Sequence, residues 1–188
     1  MLALDPKTTA LVLIDLQKGI LSMPVTPHTG QEVLSRNMKL AEQARQAGAP
    51  VILVHVGFAP DFADAPPQNV DKPLASSSPL HADWSDFAPD LQQPGDLVVL
   101  KKQWGAFTGT DLDLQLRRRG IRTIILAGIA TNFGVESTLR HAWELGYDVV
   151  VPEDACTSLN ADLHNMAVTH VFPRLCRVTR SDEIAFNA

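Results

Sequence analysis

Three short stretches of the chain hold residues able to do chemistry, and they lie far apart. LVLIDLQKG sets Asp15 directly after an apolar run. KKQWGAF sets Lys101 and Lys102 at the end of another. GIATNFGVES, residues 128–137, joins a third apolar run to a helix through a turn of small residues. A strand that breaks into a helix at such a turn is a common seat for a Ser or Cys nucleophile with backbone N–H groups beside it. Here the sharp point is Gly134, which has no side chain. A carboxylate ending a buried strand is costly unless paired. Asp15 by itself therefore fits a cap or structural ion pair as well as a general acid or base. Lys101 can meet it across a sheet, although a Lys–Lys pair after a strand is also a common surface feature.

The remaining reactive types read as structural. His55 has only Asp61 nearby in VHVGFAPDF, which is not ligand spacing, and it reads as a core or pocket histidine. His141, His164 and His170 fall on predicted helices. The last two are six apart and do not share a helix face. Cys156, in EDACTS, reads as a small buried residue near a pocket rim. With Cys176 it forms no metal or redox spacing. Thr131, Ser137 and Thr138 have no base beside them in sequence. No metal and no cofactor is expected.

The elements that position these residues alternate. Short Val/Ile/Leu runs without polar alternation suit strands buried on both faces. They are Ala10–Asp15, Val51–Val56, Leu97–Leu100, Thr123–Ala127, Tyr147–Val151 and Leu175–Val178. Amphipathic stretches lie between them: Glu32–Ala47, Asp111–Arg119 with Thr110 as N-cap, and Val135–Leu145. Each is followed by a glycine. Asp162–His170 is a weaker helix, and Ser181–Phe186 a last turn. The pattern predicts one domain, 1–188, with a three-layer α/β/α Rossmann-like fold, right-handed crossovers and a mainly parallel six-stranded sheet. Ligands of such sheets bind beyond the C-terminal strand ends. That is where Asp15, His55–Phe58, Lys101–Phe107, Gly128–Gly134 and Pro152–Ser158 fall. Residues 57–95 are too long for an ordinary connection and are expected to be a lid, binding loop or oligomer contact, with a short helix near Trp84–Leu91.

Composition excludes several classes. The 188 residues are 45% hydrophobic with a net charge of −5, a globular profile without the basic face of a nucleic-acid binder. The dense basic cluster Arg117–Arg119 reads as a helix C-terminus favoured by the macrodipole. No apolar run approaches the ~20 residues of a membrane span. MLALDPKTTA lacks the pattern of a signal peptide, so a cytoplasmic protein with reduced thiols is expected.

Taken in order, LVLIDLQKG with Asp15, KKQWGAF with Lys101 and GIATNFGVESTLR around Gly134 resemble the isochorismatase-like hydrolase superfamily, also called the cysteine hydrolases. The resemblance spans nearly the whole chain and is nearest to small single-domain bacterial members. In the amidases of that family an Asp, a Lys and a Cys form the catalytic set. The match places the Asp at Asp15, the Lys at Lys101 and the Cys position at Gly134, so the nucleophile is absent. Nicotinamidase-like members also bind a metal through an Asp-x-His motif, which VHVGFAPD does not supply, so the resemblance implies no nicotinamidase activity and no catalytic metal.

True isochorismatases resemble this chain in carrying Gly at the Cys position, and they cleave a vinyl ether. The resemblance thus implies Asp15 as general acid, Lys101 as its positioning partner and water as the attacking group. It implies a cis peptide at Ile129–Ala130 and a pocket formed by Ala130, Thr131 and Asn132, with Trp104, Phe107, Phe58 and Phe133 as candidate walls. Two positions depart from the pattern: Gly105 replaces a usual Ser, and Asn132 stands where isochorismatases tend to have His. The alternatives are a non-catalytic descendant that binds a small ligand or assembles, and a C–N hydrolase using bound water. Members of the family are commonly homodimers or homotetramers. The expected partner is a small-molecule substrate.

Overall fold

The computed structural model describes residues 1–73 and 80–187. Residues 74–79 of the long predicted loop lie outside them. The strands are β1 Leu2–Leu4, β2 Thr9–Ile14, β3 Val51–Val56, β4 Leu97–Lys101, β5 Thr123–Ile129, β6 Asp148–Pro152, β7 Cys156–Thr157, β8 Arg177–Thr179 and β9 Ile184–Phe186. The helices are α1 Lys18–Leu21, α2 Gly30–Ala47, α3 Leu112–Arg118, α4 Glu136–Glu144 and α5 Ala161–Met166.

The main sheet runs β4-β3-β2-β5-β6-β8, with β7 added alongside β5, and all its pairings are parallel. It holds one strand more than the six expected, because Cys156–Thr157 pairs with Gly128–Ile129. The chain steps from β2 through α2 to β3 in one direction, then from β4 through α3 to β5 in the other. Right-handed crossovers therefore put α2 on one face and α3 and α4 on the opposite face. The reversal falls between β2 and β5. Both strands are buried along nearly their whole length, as continuous aliphatic runs covered by helices on two sides require.

Helix α2 begins at a capping box. Thr29 Oγ1 accepts from Glu32 N–H, and the Glu32 carboxylate accepts from Thr29 N–H at 2.8 Å. Thr29→Ala removes one half of it and is expected to lower stability by about 1 kcal/mol, read from the urea midpoint. The cap of α3 falls one residue later than expected, at Asp111, and the Thr110 hydroxyl accepts from Leu112 N–H.

Three expectations are corrected. The last sheet strand starts at Arg177, because the N–H groups of Leu175 and Cys176 are spent on Phe172 O, each at 2.8 Å. Residues 181–186 form one 3₁₀ turn and then β9, which pairs with β1. No helix forms over 84–91. The carbonyls of Trp84 and Asp86 accept from the backbone of Gly19 and Lys18, and Phe87 bridges Gln17. This segment takes the place of a crossover helix beside β4. Alternate β4 residues Val98 and Leu100 are left exposed. Among the described residues no helix is long and apolar enough to cross a membrane.

Candidate active site

The reversal point of a doubly wound sheet leaves a crevice at the strand ends, and ligands bind there. Asp15 is the first residue after β2, and its neighbours across the sheet are the ends of β3 and β5. Its backbone has φ +54°, a left-handed conformation uncommon for a residue with a side chain. Its N–H donates to Val54 O at 2.8 Å. The turn aims the carboxyl across β3 towards the end of β4.

There Lys101, only 2% exposed, places Nζ 2.7 Å from Asp15 Oδ2 and 2.8 Å from Trp104 O. Lys102 points the other way and pairs with Asp64 near the surface. The alternating side-chain direction of a strand selects between the two lysines. Asp15 Oδ1 is buried with no hydrogen-bond partner among the described residues. Burial pushes the Asp15 carboxyl up to about 6, against the opposing pull of the Lys101 charge and hydrogen bond. Burial thus favours the protonated form of this carboxyl more than in water, with one oxygen held by Lys101 and the other free.

Gly134 closes the group from the β5 side. A Cβ built there would lie 3.3 Å from Asp15 Oδ2, 3.4 Å from Lys101 Nζ and 2.9 Å from the Ile14 side chain. The position is thus in contact with both charged groups. It lies in a π-helical turn, Thr131–Val135, that runs on into α4. The turn follows β5 through Gly128, with φ +121°, and the Ile129–Ala130 peptide bond is cis. Thr138 Oγ1 donates to Gly134 O at 2.7 Å and accepts from Ala106 N–H at 3.0 Å, tying the turn to the loop after Lys101.

The other predicted residues divide. Thr131 is fully buried, with Oγ1 2.8 Å from His164 Nδ1. Asn132 Oδ1 accepts from the Ser158 hydroxyl. Trp104, 56% exposed, stands 4.8 Å from the Phe133 ring. Phe58 follows β3 and meets Phe62 at 5.9 Å. Phe107 is buried, with its ring 6.0 Å from that of Tyr147 and 5.4 Å from that of His141. Two grooves of about 610 and 440 Å³, one beside Ile184 and Phe186 and one beside His55 and Phe87, include neither Asp15 nor Lys101 in their walls.

Burial pushes the Cys156 thiol far up and that of Cys176 to about 12. His55 fits its reading as a pocket histidine, with Nδ1 2.8 Å from Ser85 O and its ring against Phe87. Sequence reasoning passed over Gln17, although LVLIDLQKG contains it. Its buried amide donates to Val56 O and Trp84 O and accepts from Val56 N–H, clamping the exits of β2 and β3. The strand end Pro152–Ser158 was expected to border the site, but Glu153 and Ser158 within it were given no role, and His28 was passed over.

Residues 9–183 match the Isochorismatase domain family. YecD, an isochorismatase family protein of Escherichia coli O157:H7, is 51% identical over 184 residues, covering 98% of each chain. Ureidoacrylate amidohydrolase RutB of Agrobacterium fabrum is 33% identical over 193 residues, covering 90% of this chain and 84% of its own. An isochorismatase family protein of Burkholderia thailandensis has a structure superposing with TM-score 0.91 at 49% identity, covering 97% of this chain and 95% of its own.

Proposed function

The chain belongs to the isochorismatase family of hydrolases, and from that premise we propose that it hydrolyses an enolpyruvyl ether of the isochorismate type, with Asp15 as general acid and no covalent intermediate. The observation that carries this reading is the state of Asp15. It has one carboxyl oxygen held by Lys101, one buried oxygen without a partner among the described residues, and a proton affinity raised to about 6. Gly134 offers no nucleophilic side chain beside Asp15 and Lys101, and acid catalysis does not need one.

In this reaction Asp15 gives its proton to the terminal methylene carbon of the vinyl ether. The double-bond electrons form the new C–H bond, and the ether oxygen shares the positive charge of an oxocarbenium ion. Water adds to the oxocarbenium carbon, the one that bears the ether oxygen, and returns a proton to Asp15. The hemiketal then breaks its C–O bond, its hydroxyl proton passing to the departing alkoxide. The products are pyruvate and a diol. Lys101 fixes the carboxyl and balances its charge once the proton has left. The helical run that starts at Thr131 turns its N-terminal dipole to an anionic substrate.

Pyruvate release from isochorismate by the purified protein tests the reading, and no release removes that substrate. Because the working form of Asp15 is protonated, kcat/KM is expected to fall about tenfold per pH unit above about 6. A flat profile between about pH 5 and 8 contradicts the acid role. A second reading, water-based cleavage of an amide, is favoured by the similarity to ureidoacrylate amidohydrolase. Ammonia release from small ureido acids, without pyruvate from any enol ether, would select it.

A further inference from the structure

Next to the turn, where His164 meets Thr131, three segments bring together His28, Glu153 and His164. His28 ends the approach to α2, Glu153 follows β6, and His164 lies in α5. Glu153 Oε2 is 3.7 Å from His164 Nε2 and 3.9 Å from His28 Nε2. The donor atoms of the three residues all lie within 4.8 Å of one another. We propose that this triad is a binding site for one first-row divalent cation of the zinc class, separate from the Asp15 site.

Two imidazoles and one carboxylate form a donor set that zinc accepts, leaving a fourth position for water. At bonds of 2.0–2.1 Å a tetrahedral ion holds its ligand atoms ~3.3 Å apart. Drawing the carboxylate towards the two rings by roughly half an ångström meets that requirement for the two measured pairs. His28 and Glu153 are partly exposed, which gives an ion a way in and allows the movement, while His164 is buried.

The surroundings resemble an outer shell. A ligating histidine has its other ring nitrogen held by an oxygen group, which fixes ring orientation and tautomer. His164 Nδ1 is held by Thr131 Oγ1 at 2.8 Å. With that proton on Nδ1, the Nε2 lone pair faces Glu153, an arrangement that a cation between them satisfies. Arg180 Nη1 holds the other carboxylate oxygen, Oε1, at 3.2 Å and leaves Oε2 to the rings. The His28 carbonyl is anchored by Thr157 Oγ1 at 2.7 Å, and Asn160 caps α5 ahead of His164. Each ligand is thus positioned from a different element. The expectation of no catalytic metal, drawn from the missing Asp-x-His motif, concerns the Asp15 site and not this one. In the sequence His164 was compared only with His170, whereas its partners come from other segments. The site is structural in kind: through Thr131 it fastens the turn that carries Gly134.

Tag-free protein, stripped with chelator and titrated with Zn²⁺ against a chromophoric competitor, tests this without any substrate. The expected result is one equivalent bound per chain and a higher Tm with Zn²⁺ present. His28→Asn and Glu153→Gln each lower the affinity at least about tenfold, whereas His81→Asn, at an exposed histidine elsewhere, leaves it unchanged. No binding by the wild type overturns the proposal. So does binding unchanged in both triad variants, which would place the ion elsewhere. Neither result depends on the vinyl-ether reading.

Discussion

Asp15→Asn is expected to lower turnover of an enolpyruvyl ether by roughly 10²- to 10⁴-fold, the usual contribution of a positioned general acid. The substitution keeps the shape of the side chain and an oxygen for the 2.7 Å bond from Lys101, but it removes the transferable proton. KM is expected to change little, because the lost interaction belongs to the transition state. A buried charge that loses its counter-ion is costly, by about 3–5 kcal/mol when the pair is broken outright. Thermal unfolding must therefore be measured beside the kinetics, to place the rate loss on folded protein. Pyruvate release within about threefold of wild type would exclude Asp15 as the acid.

The second large effect is on folding. At Gly128 a Cβ would lie 2.1 Å from Ile14 O and 2.7 Å from Ile14 N, on a backbone with φ +121°. Those atoms belong to the central strand and cannot rotate away as a flexible side chain can. Gly128 pairs with Ile14 in the β2–β5 ladder, so the close approach seats Asp15 beside the turn. Gly128→Ala is expected to cost more than about 4 kcal/mol, a large part of the stability of a domain of this size. The expected readout is loss of soluble protein or of a cooperative urea transition. Gly48→Ala is the contrast. That glycine also has positive φ, but a Cβ there meets open space, so a cost of only about 1 kcal/mol is expected. Equal midpoints for the two variants would show that contact with Ile14 carries no weight.

The central sheet was legible because β2, β3 and β5 are unbroken aliphatic runs, and only two-sided burial makes that pattern stable. The peripheral pieces were not. β1 (LAL) and β9 (IAF) are three residues each and partly exposed, too short for an apolar run or a period to mark them as strands. Leu175 looked like a strand residue from its type, but its N–H was already committed to a 3₁₀ turn. At the site, Asp15 and Lys101 could be found because their motifs surround them in sequence. Phe107 could not be assigned, since an aromatic after a strand turns to the core or to the pocket according to neighbours far along the chain. The histidine triad was invisible for the same reason, as its members come from three separate elements.

The placement of β2 has a kinetic consequence. This strand is made early, yet one of its two ladder partners, β5, starts only at Thr123. Ribosomal synthesis at about 5–20 residues per second leaves that edge unsatisfied for roughly 5–25 s. The Asp15–Lys101 contact closes over a similar span. Non-local parallel pairing raises the entropic barrier to folding. Refolding from urea should therefore be slow for the length of the chain, with recovery of activity following, rather than preceding, the return of helical signal. Until β5 arrives, the apolar edge of β2 is open to other nascent chains, so refolding yield should fall as protein concentration rises.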